Sequence, residues 1–255
     1  MAQPVRSLQP NMDPAEWAVR VDLAAAHRLA VRHDLHEGIC NHMTARVRGE
    51  SFVMSPWGVH WSKMTASALQ LVRGGADATR GRTDEELVAY HIHWPVYRAR
   101  PDVQCVLHTH MPYATSLTMV EGMRFEICEQ VAMKFAGRIA YDDAYPGRVG
   151  DLGEAEGERL ARALGGKSVL IARNHGIVVV GPSVAEAYDD LYYLERCCRK
   201  LWLAAAWGRP LAPIDPAIVE RTKATEDPKA VAGWANDHFR ALKAVLDDED
   251  PRYSR

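Results

Sequence analysis

Apolar residues recur at helical spacing through Trp17, Val21, Ala24, Ala25 and Leu29, which predicts a helix from about Ala15 to His33. Pro14 suits its first turn, where the missing N–H has no helical partner to lose. Two short runs, 42–48 and 51–54, read as extended, and Arg48-Gly49-Glu50 between them reads as a hairpin turn. Ser55-Pro56-Trp57-Gly58 is a loop, and Gly74, Gly75 and Gly81 punctuate another hairpin-like stretch. Thr83 followed by Glu86 forms a capping box, so a helix starts there and runs towards Tyr97. Pro95 lies inside it and should kink or shorten it. A strand from Val103 to His108 follows, then helices over roughly 111–121 and 126–136. Val169–Ala172 and Ile177–Val180 are β-rich runs separated by Arg173-Asn174-His175-Gly176. Ser183 and Glu186 form a second capping box before a long helix over about 184–207. The stretch 209–228 reads as irregular, and an amphipathic helix closes the pattern over about 229–247.

Strands and helices alternate without a shift in composition that marks a linker. The pattern predicts one α/β domain over 14–208 with a mainly antiparallel central sheet. Residues 1–13 read as a flexible leader. Residues 209–255 read as an irregular segment and a helix packed on the domain or on a neighbouring subunit. The sequence has neither GxGxxG nor GxxxxGK[ST], so it offers no dinucleotide or P-loop signature.

Of the 255 residues, 47% are hydrophobic and 25% charged, ordinary values for a globular chain. Thirty-one basic residues against thirty-three acidic ones give a net charge of -2. That balance argues against a nucleic-acid partner, which selects for a basic excess. No window carries the ~18 uninterrupted apolar residues of a membrane span, and Met1 to Pro14 lacks the apolar run of a signal peptide. The five cysteines show no zinc-type spacing, and Cys197 and Cys198 are adjacent on a predicted helix. A reducing, cytoplasmic compartment is expected.

The eleven histidines are the main chemical signal. His108-Thr109-His110 ends a predicted strand, where residues two apart share a face and two imidazoles can chelate one cation. His175 sits in the turn between two strands, at the rim of a sheet. Three neutral imidazoles suit Zn²⁺ with a fourth position open, and Mn²⁺ or Fe²⁺ are alternatives. His91-Ile92-His93 has the same spacing, but on a helix the two rings point apart and cannot share a cation.

Several segments resemble the class II aldolase/adducin family. Gly38-Ile39-Cys40-Asn41-His42-Met43-Thr44-Ala45-Arg46 is similar to its G-x-x-N-H-x-[ST]-x-R segment. Tyr97 to His110 resembles its Y-x-x-R-P-D-x-x-x-V-x-H-x-H signature, Asn174-His175-Gly176 its N-H-G turn, and Ser55-Pro56-Trp57-Gly58 its S/T-P-x-G loop. The resemblance implies a three-layer α/β/α domain around a nine-stranded sheet, a homotetramer with sites at subunit interfaces, and one divalent metal per subunit, Zn²⁺ foremost, on His108, His110 and His175. It places Asn41 at the pocket floor, Trp57 and Gly58 at the substrate loop, His93 as a pocket histidine, and Glu129 near a position where aldolases offer a proton donor to the neighbouring subunit.

Two departures from the sugar-phosphate aldolases redirect the expected chemistry. Their catalytic glutamate stands nineteen residues before the first ligand histidine, where this chain has Ala89, and an alanine takes no proton. Glu85 and Glu86 lie one helical turn away, a doubtful replacement. Leu87, Val88 and Trp57 occupy places where those enzymes hold phosphate with small residues, and they offer almost no donors for it. The expectation is a metal-dependent C–C lyase acting on a small non-phosphorylated carboxylate or hydroxy-carbonyl compound, with decarboxylation the preferred form. Retro-aldol cleavage and a non-catalytic adducin-like scaffold are the alternatives. Scaffolding alone requires no histidine triad.

Overall fold

A computed structural model describes residues 12–75, 81–147 and 149–255, the side chains of 149–152 excepted. Helix α1 spans Pro14–Arg32, with Asp13 capping it through Ala15 N–H. Strands β1 (His42–Arg48) and β2 (Ser51–Met54) form the expected hairpin. Strand β3 (Gln70–Arg73) pairs back onto β2. The glycine-marked stretch thus supplies one strand, and residues 76–80 lie outside the described residues. Helix α2 (Asp84–Ala99) opens with the Thr83/Glu86 capping box.

Strand β4 (Cys105–Thr109) and the short helix α3 (Pro112–Thr118) follow. Next come β5 (Ile139–Asp142), α4 (Val149–Leu164), β6 (Val169–Ala172) and β7 (Gly176–Gly181). Helices α5 (Val184–Ala205), α6 (Pro216–Thr225) and α7 (Pro228–Glu249) complete the chain.

The described strands form one seven-stranded sheet in the order β3-β2-β1-β4-β7-β6-β5, against the nine strands that the resemblance implied. Every pairing is antiparallel except β5 with β6.

Side-chain alternation sorts the core into two layers. Met43, Ala45, Val53, Cys105, Leu107, Ile177 and Val179 face α1 and α5. Phe52, Met54, Val106, Leu170, Val178 and Val180 face α2 and α4. This parity fixes the site. His108 is two residues from Val106 and therefore points to the α2 side. The register pairs His42 with His108 and Thr44 with Val106 across β1 and β4, so His42 and Thr44 share that side too.

Several expectations need correction. Pro95 does not end α2, which continues to Ala99. The proline lacks the N–H that His91 C=O would accept, and Gly157 of α4 packs against that carbonyl. A Cβ at 157 would lie 1.6 Å from the oxygen, so only glycine permits the approach. The segment 126–136 holds a short 3₁₀ helix, Gln130–Phe135, because Glu129 is extended and caps it at Val131 N–H. The stretch 209–228 contains α6, where Pro216 is a first-turn proline behind the Asp215 cap. Phe239, Leu246 and Tyr253 join the α1/α5 core, so the C-terminal helix packs on the domain.

Candidate metal centre and substrate cavity

His108 lies on β4, His110 one residue beyond its end, and His175 in the turn between β6 and β7. Two backbone features bring the third ring in. Asn174 adopts the left-handed conformation at φ 55°, which asparagine tolerates. Gly176 then leaves room for His110, since a Cβ there would sit 2.5 Å from His110 Cδ2. The ring centroids are 4.9 Å apart for His108 and His110, 4.7 Å for His108 and His175, and 5.2 Å for His110 and His175.

The donor set fits a divalent cation. One ligand nitrogen from each ring lies within 4.8 Å of the others. His108 Nδ1 donates to Ile177 C=O at 3.0 Å, and His110 Nδ1 donates to a Glu37 carboxylate oxygen at 2.6 Å. Both bonds place the proton on Nδ1 and leave Nε2 with a lone pair, the usual support for a metal-ligating histidine. The two Nε2 atoms are 3.1 Å apart. Two nitrogens on a tetrahedral Zn²⁺ at ~2.0–2.1 Å stand about 3.3 Å apart. Lone pairs facing at this distance repel unless a cation lies between them. Burial first, then the neighbouring imidazoles, push His108 well below the usual histidine range. Burial and His110 bring His175 to about 4. Both rings are therefore neutral at neutral pH, the form in which an imidazole can hold a cation.

The triad opens into a cavity of about 270 Å³. Ala89 and Ile92 of α2 line one wall, and Trp57, 39% exposed, stands at the rim. Asn41 lines it as well. Its Oδ1 accepts from Glu37 N–H at 2.7 Å and His110 N–H at 3.3 Å, while its buried Nδ2 has no partner among the described residues. Asn41 thus lines the cavity, as expected, and also ties its loop to the backbone of His110.

Glu85 and Glu86 also line the cavity, closer to it than their offset from Ala89 suggested. Glu86 is committed: its carboxylate accepts from Gln70 Nε2 at 3.0 Å and from Trp57 N–H and Thr83 N–H at 3.3 Å. Glu85 is exposed at the edge.

Three predicted site residues fall elsewhere. Gly58, at φ 81°, shapes the loop but is absent from the cavity wall. His93 is fully buried behind His42 and does not line the cavity. Within the chain, Glu129 is remote from the triad's cavity: it caps the 3₁₀ helix and accepts from Lys200 Nζ at 2.7 Å and Cys197 Sγ at 3.1 Å. Sequence reasoning missed His42 and Glu37. His42 was recoverable from the β1–β4 register, which sets it beside His108. Glu37 carried no periodic or motif signal of its own.

The class of protein follows from this fold and triad together. Residues 21–202 match the class II aldolase and adducin N-terminal domain model, and the chain belongs to that family. It is 32% identical over 251 residues to a protein of Pseudomonas aeruginosa named for the class 2 aldolases, covering 96% of this chain and 95% of that one. An adducin-related protein of Schizosaccharomyces pombe is 37% identical over 186 residues, which is 69% of this chain but 56% of that protein. Decarboxylase NovR of Streptomyces niveus is 28% identical over 240 residues, 91% of this chain and 86% of that one. The crystal structure of an aldolase II superfamily protein from Pseudomonas syringae superposes with a TM-score of 0.84 at 32% identity, covering 98% of this chain and all of that one. Among the described residues, no helix is long and apolar enough to cross a membrane.

Proposed function

We propose that the chain is a metal-dependent C–C lyase for a small non-phosphorylated carboxylate or hydroxy-carbonyl substrate, with decarboxylation as its reaction. The observation that carries this is the triad opening onto a wall where Ala89 replaces a proton-accepting side chain. His108, His110 and His175 would hold the ion, Zn²⁺ foremost with Mn²⁺ or Fe²⁺ as alternatives. When bound, a divalent cation supplies Lewis acidity where negative charge develops. The chain's own residues do the rest. Ile92, Val88 and Trp57 exclude water and favour an apolar or aromatic body, and they offer no cradle for phosphate. Asn41 brings an unpaired amide to a substrate oxygen. Loss of CO₂ requires no base to take a carbon-bound proton, so this chemistry tolerates Ala89. The decarboxylase name of a 28% identical relative supports the choice.

Retro-aldol cleavage is the second reading, and Glu85 at the cavity edge is the side chain that favours it. A scaffold of the adducin kind leaves the triad without a role. We further propose a homo-oligomer, a tetramer by family resemblance, because Trp202, Trp207 and Trp234 are 53%, 83% and 68% exposed. In such an assembly Glu129 would serve a neighbour's cavity. A cytoplasmic setting suits five free cysteines.

The test is a panel of hydroxy- and keto-carboxylic acids offered to metal-loaded protein, with CO₂ and aldehyde products followed separately. CO₂ from an aromatic or apolar acid is the expected result. Aldehyde without CO₂ establishes retro-aldol cleavage, and turnover of sugar phosphates overturns the reading of the cavity wall.

A further inference from the structure

Four imidazoles crowd the inner end of the cavity, yet three form the ligand set. His42 stands with its ring centroid 4.7 Å from that of His108 and its Nδ1 2.8 Å from His93 Nε2. Behind it a buried chain of hydrogen bonds runs away from the cavity. His93 Nδ1 lies 2.6 Å from Thr44 Oγ1, and Thr44 Oγ1 lies 2.9 Å from the Tyr97 hydroxyl. His93 and Thr44 are wholly buried and Tyr97 is 2% exposed. Neither the triad's chemistry nor the packing of α2 on the sheet accounts for a polar chain of this length.

Its direction can be deduced. Each hydroxyl has one proton, and each neutral imidazole has one donor and one acceptor nitrogen. Burial holds His93 down at about 3, so it is neutral. If the protons point inward, His42 Nδ1 donates to His93, His93 to Thr44, and Thr44 to Tyr97. The Tyr97 proton is then left without an acceptor among the described residues, at a cost of about 1–3 kcal/mol. If they point outward, Tyr97 donates to Thr44, Thr44 to His93 Nδ1, and His93 Nε2–H to His42 Nδ1. Every donor is then used, and the remaining proton is on His42 Nε2, which has no protein partner among the described residues.

We propose that this relay locks His42 as the Nε2–H tautomer, so that it serves as a hydrogen-bond donor to an anionic substrate oxygen beside the metal centre instead of acting as a fourth ligand. Asn41 supplies a second donor. Its amide orientation is fixed, because the oxygen accepts two backbone N–H groups and a flipped amide would set donor against donor. Two adjacent donors without protein acceptors, next to a cation site, suit a carboxylate oxygen that keeps or gains negative charge during the reaction. Tyr97, Thr44 and His93 are positioning residues, and His42 is the group that meets the substrate. The inference rests on the reading of the cavity as a substrate site, and its substrate class is a metal-chelating carboxylate.

Two measurements test it. Long-range ¹H–¹⁵N NMR of the Zn²⁺-loaded protein reads histidine tautomers directly, and His42 and His93 should both carry the proton on Nε2. An Nδ1 proton on His42, or a metal-bound nitrogen shift for it, overturns the proposal. Calorimetric titration with oxalate then reads the donor itself. His42→Phe should weaken oxalate at least 10-fold with zinc content unchanged. Thr44→Val and Tyr97→Phe should weaken it 3- to 10-fold, and Thr44→Ser should restore it. Wild-type affinity in the Thr44 and Tyr97 variants overturns the relay. Failure of the wild type to bind oxalate overturns the donor site. Oxalate binding with the predicted tautomers but no CO₂ from any acid overturns only the lyase reading.

Discussion

At the inner end of β4, three imidazoles and a fourth beside them face one another without a carboxylate among them; Glu37 touches His110 from outside. On α5, by contrast, Asp189 and Asp190 meet Lys134, Arg138 and His238. Lys134 Nζ is 2.9 Å from Asp190 and also pairs with Asp189, Arg138 pairs with Asp190, and His238 Nδ1 is 2.7 Å from Asp189. Burial has opposite outcomes in the two places. It drives the His108 and His175 imidazoles to neutrality. On α5 burial opposes both charges, yet the acids still raise the Lys134 ammonium, and His238 and Lys134 hold Asp189 below the usual carboxylate range. The α5 network completes its own charge balance. The triad presents lone pairs that only something from outside can satisfy. A cluster closed on itself is architecture, whereas a cluster left open is a candidate binding site.

The largest effect is expected from removing the open cluster. A His108→Ala, His110→Ala double variant should lose its divalent ion, and activity on any accepted acid should fall by about 10³-fold or more, since the lost Lewis acidity is worth several kcal/mol. Metal analysis after chelator-free purification checks it. A full complement of ion in the variant breaks the contrast.

Next comes the closed cluster. Asp189→Ala leaves Lys134 with part of its partner set and His238 with ring contacts but no hydrogen bond on α5 among the described residues. Removing one member of a buried pair costs about 3 kcal/mol, readable as a shift of the urea midpoint. Metal content should not change. A stability loss within 0.5 kcal/mol, the ordinary range for an exposed site, as an order of magnitude, would remove α5 from the comparison.

Glu195 lies between the two cases and sharpens them. Its carboxylate accepts Tyr113 N–H at 2.8 Å and Ala114 N–H at 2.7 Å, capping α3 without an ion pair among the described residues. Burial outweighs these bonds and pushes it up to about 7 from its ordinary 4.5. The folded state therefore holds a proton between those values that the unfolded chain has released. Stability from this group is full below about 4.5 and declines as pH rises to about 7, by about 3 kcal/mol. Glu195→Gln should flatten that limb in denaturation measured at pH 5 and 8. An unchanged slope would show that the two N–H bonds suffice to keep the carboxylate ionised.

Much of this was legible in the chain, for identifiable reasons. The β1–β2 hairpin, the Thr83 capping box and the β6–β7 pair are local, and their signals lie within a few residues. The two His-x-His segments show context deciding chemistry. At His108 and His110 the strand end brings both rings to one candidate cation site, whereas on α2 His91 and His93 diverge and His93 is buried against Thr44. Less legible were α4, whose glycines at 150, 153 and 157 lower helix propensity, and α6, whose first-turn proline resembled a breaker. His42 stands in the N-H segment, but its place beside His108 comes from strand register, and Glu37 meets His110 through the return of a loop; neither neighbour relation is local in sequence. Glu129 illustrates the converse: its place in the sequence suggested chemistry, and its hydrogen bonds tie it to Cys197, Lys200 and a helix cap.

The smallest effect concerns the rim, where the open cluster meets solvent. Trp57 lies on the cavity wall at 39% exposure, with its backbone N–H held by Glu86. Trp57→Ala keeps that backbone bond and removes the indole, so the fold should lose no more than about 0.5 kcal/mol. If the indole packs on the body of an aromatic acid, its loss should cost about 0.5–1.5 kcal/mol of binding, or 2- to 13-fold in affinity by the same conversion. Pyruvate, which has no ring, should bind unchanged. Phenylpyruvate and pyruvate titrated into Zn²⁺-loaded wild type and variant give the comparison directly. Equal losses for both acids would mean that Trp57 orders the loop, placing it with the closed, structural part of the molecule. A loss confined to phenylpyruvate places it with the open part, and makes the apolar rim the determinant of which acids the metal centre meets.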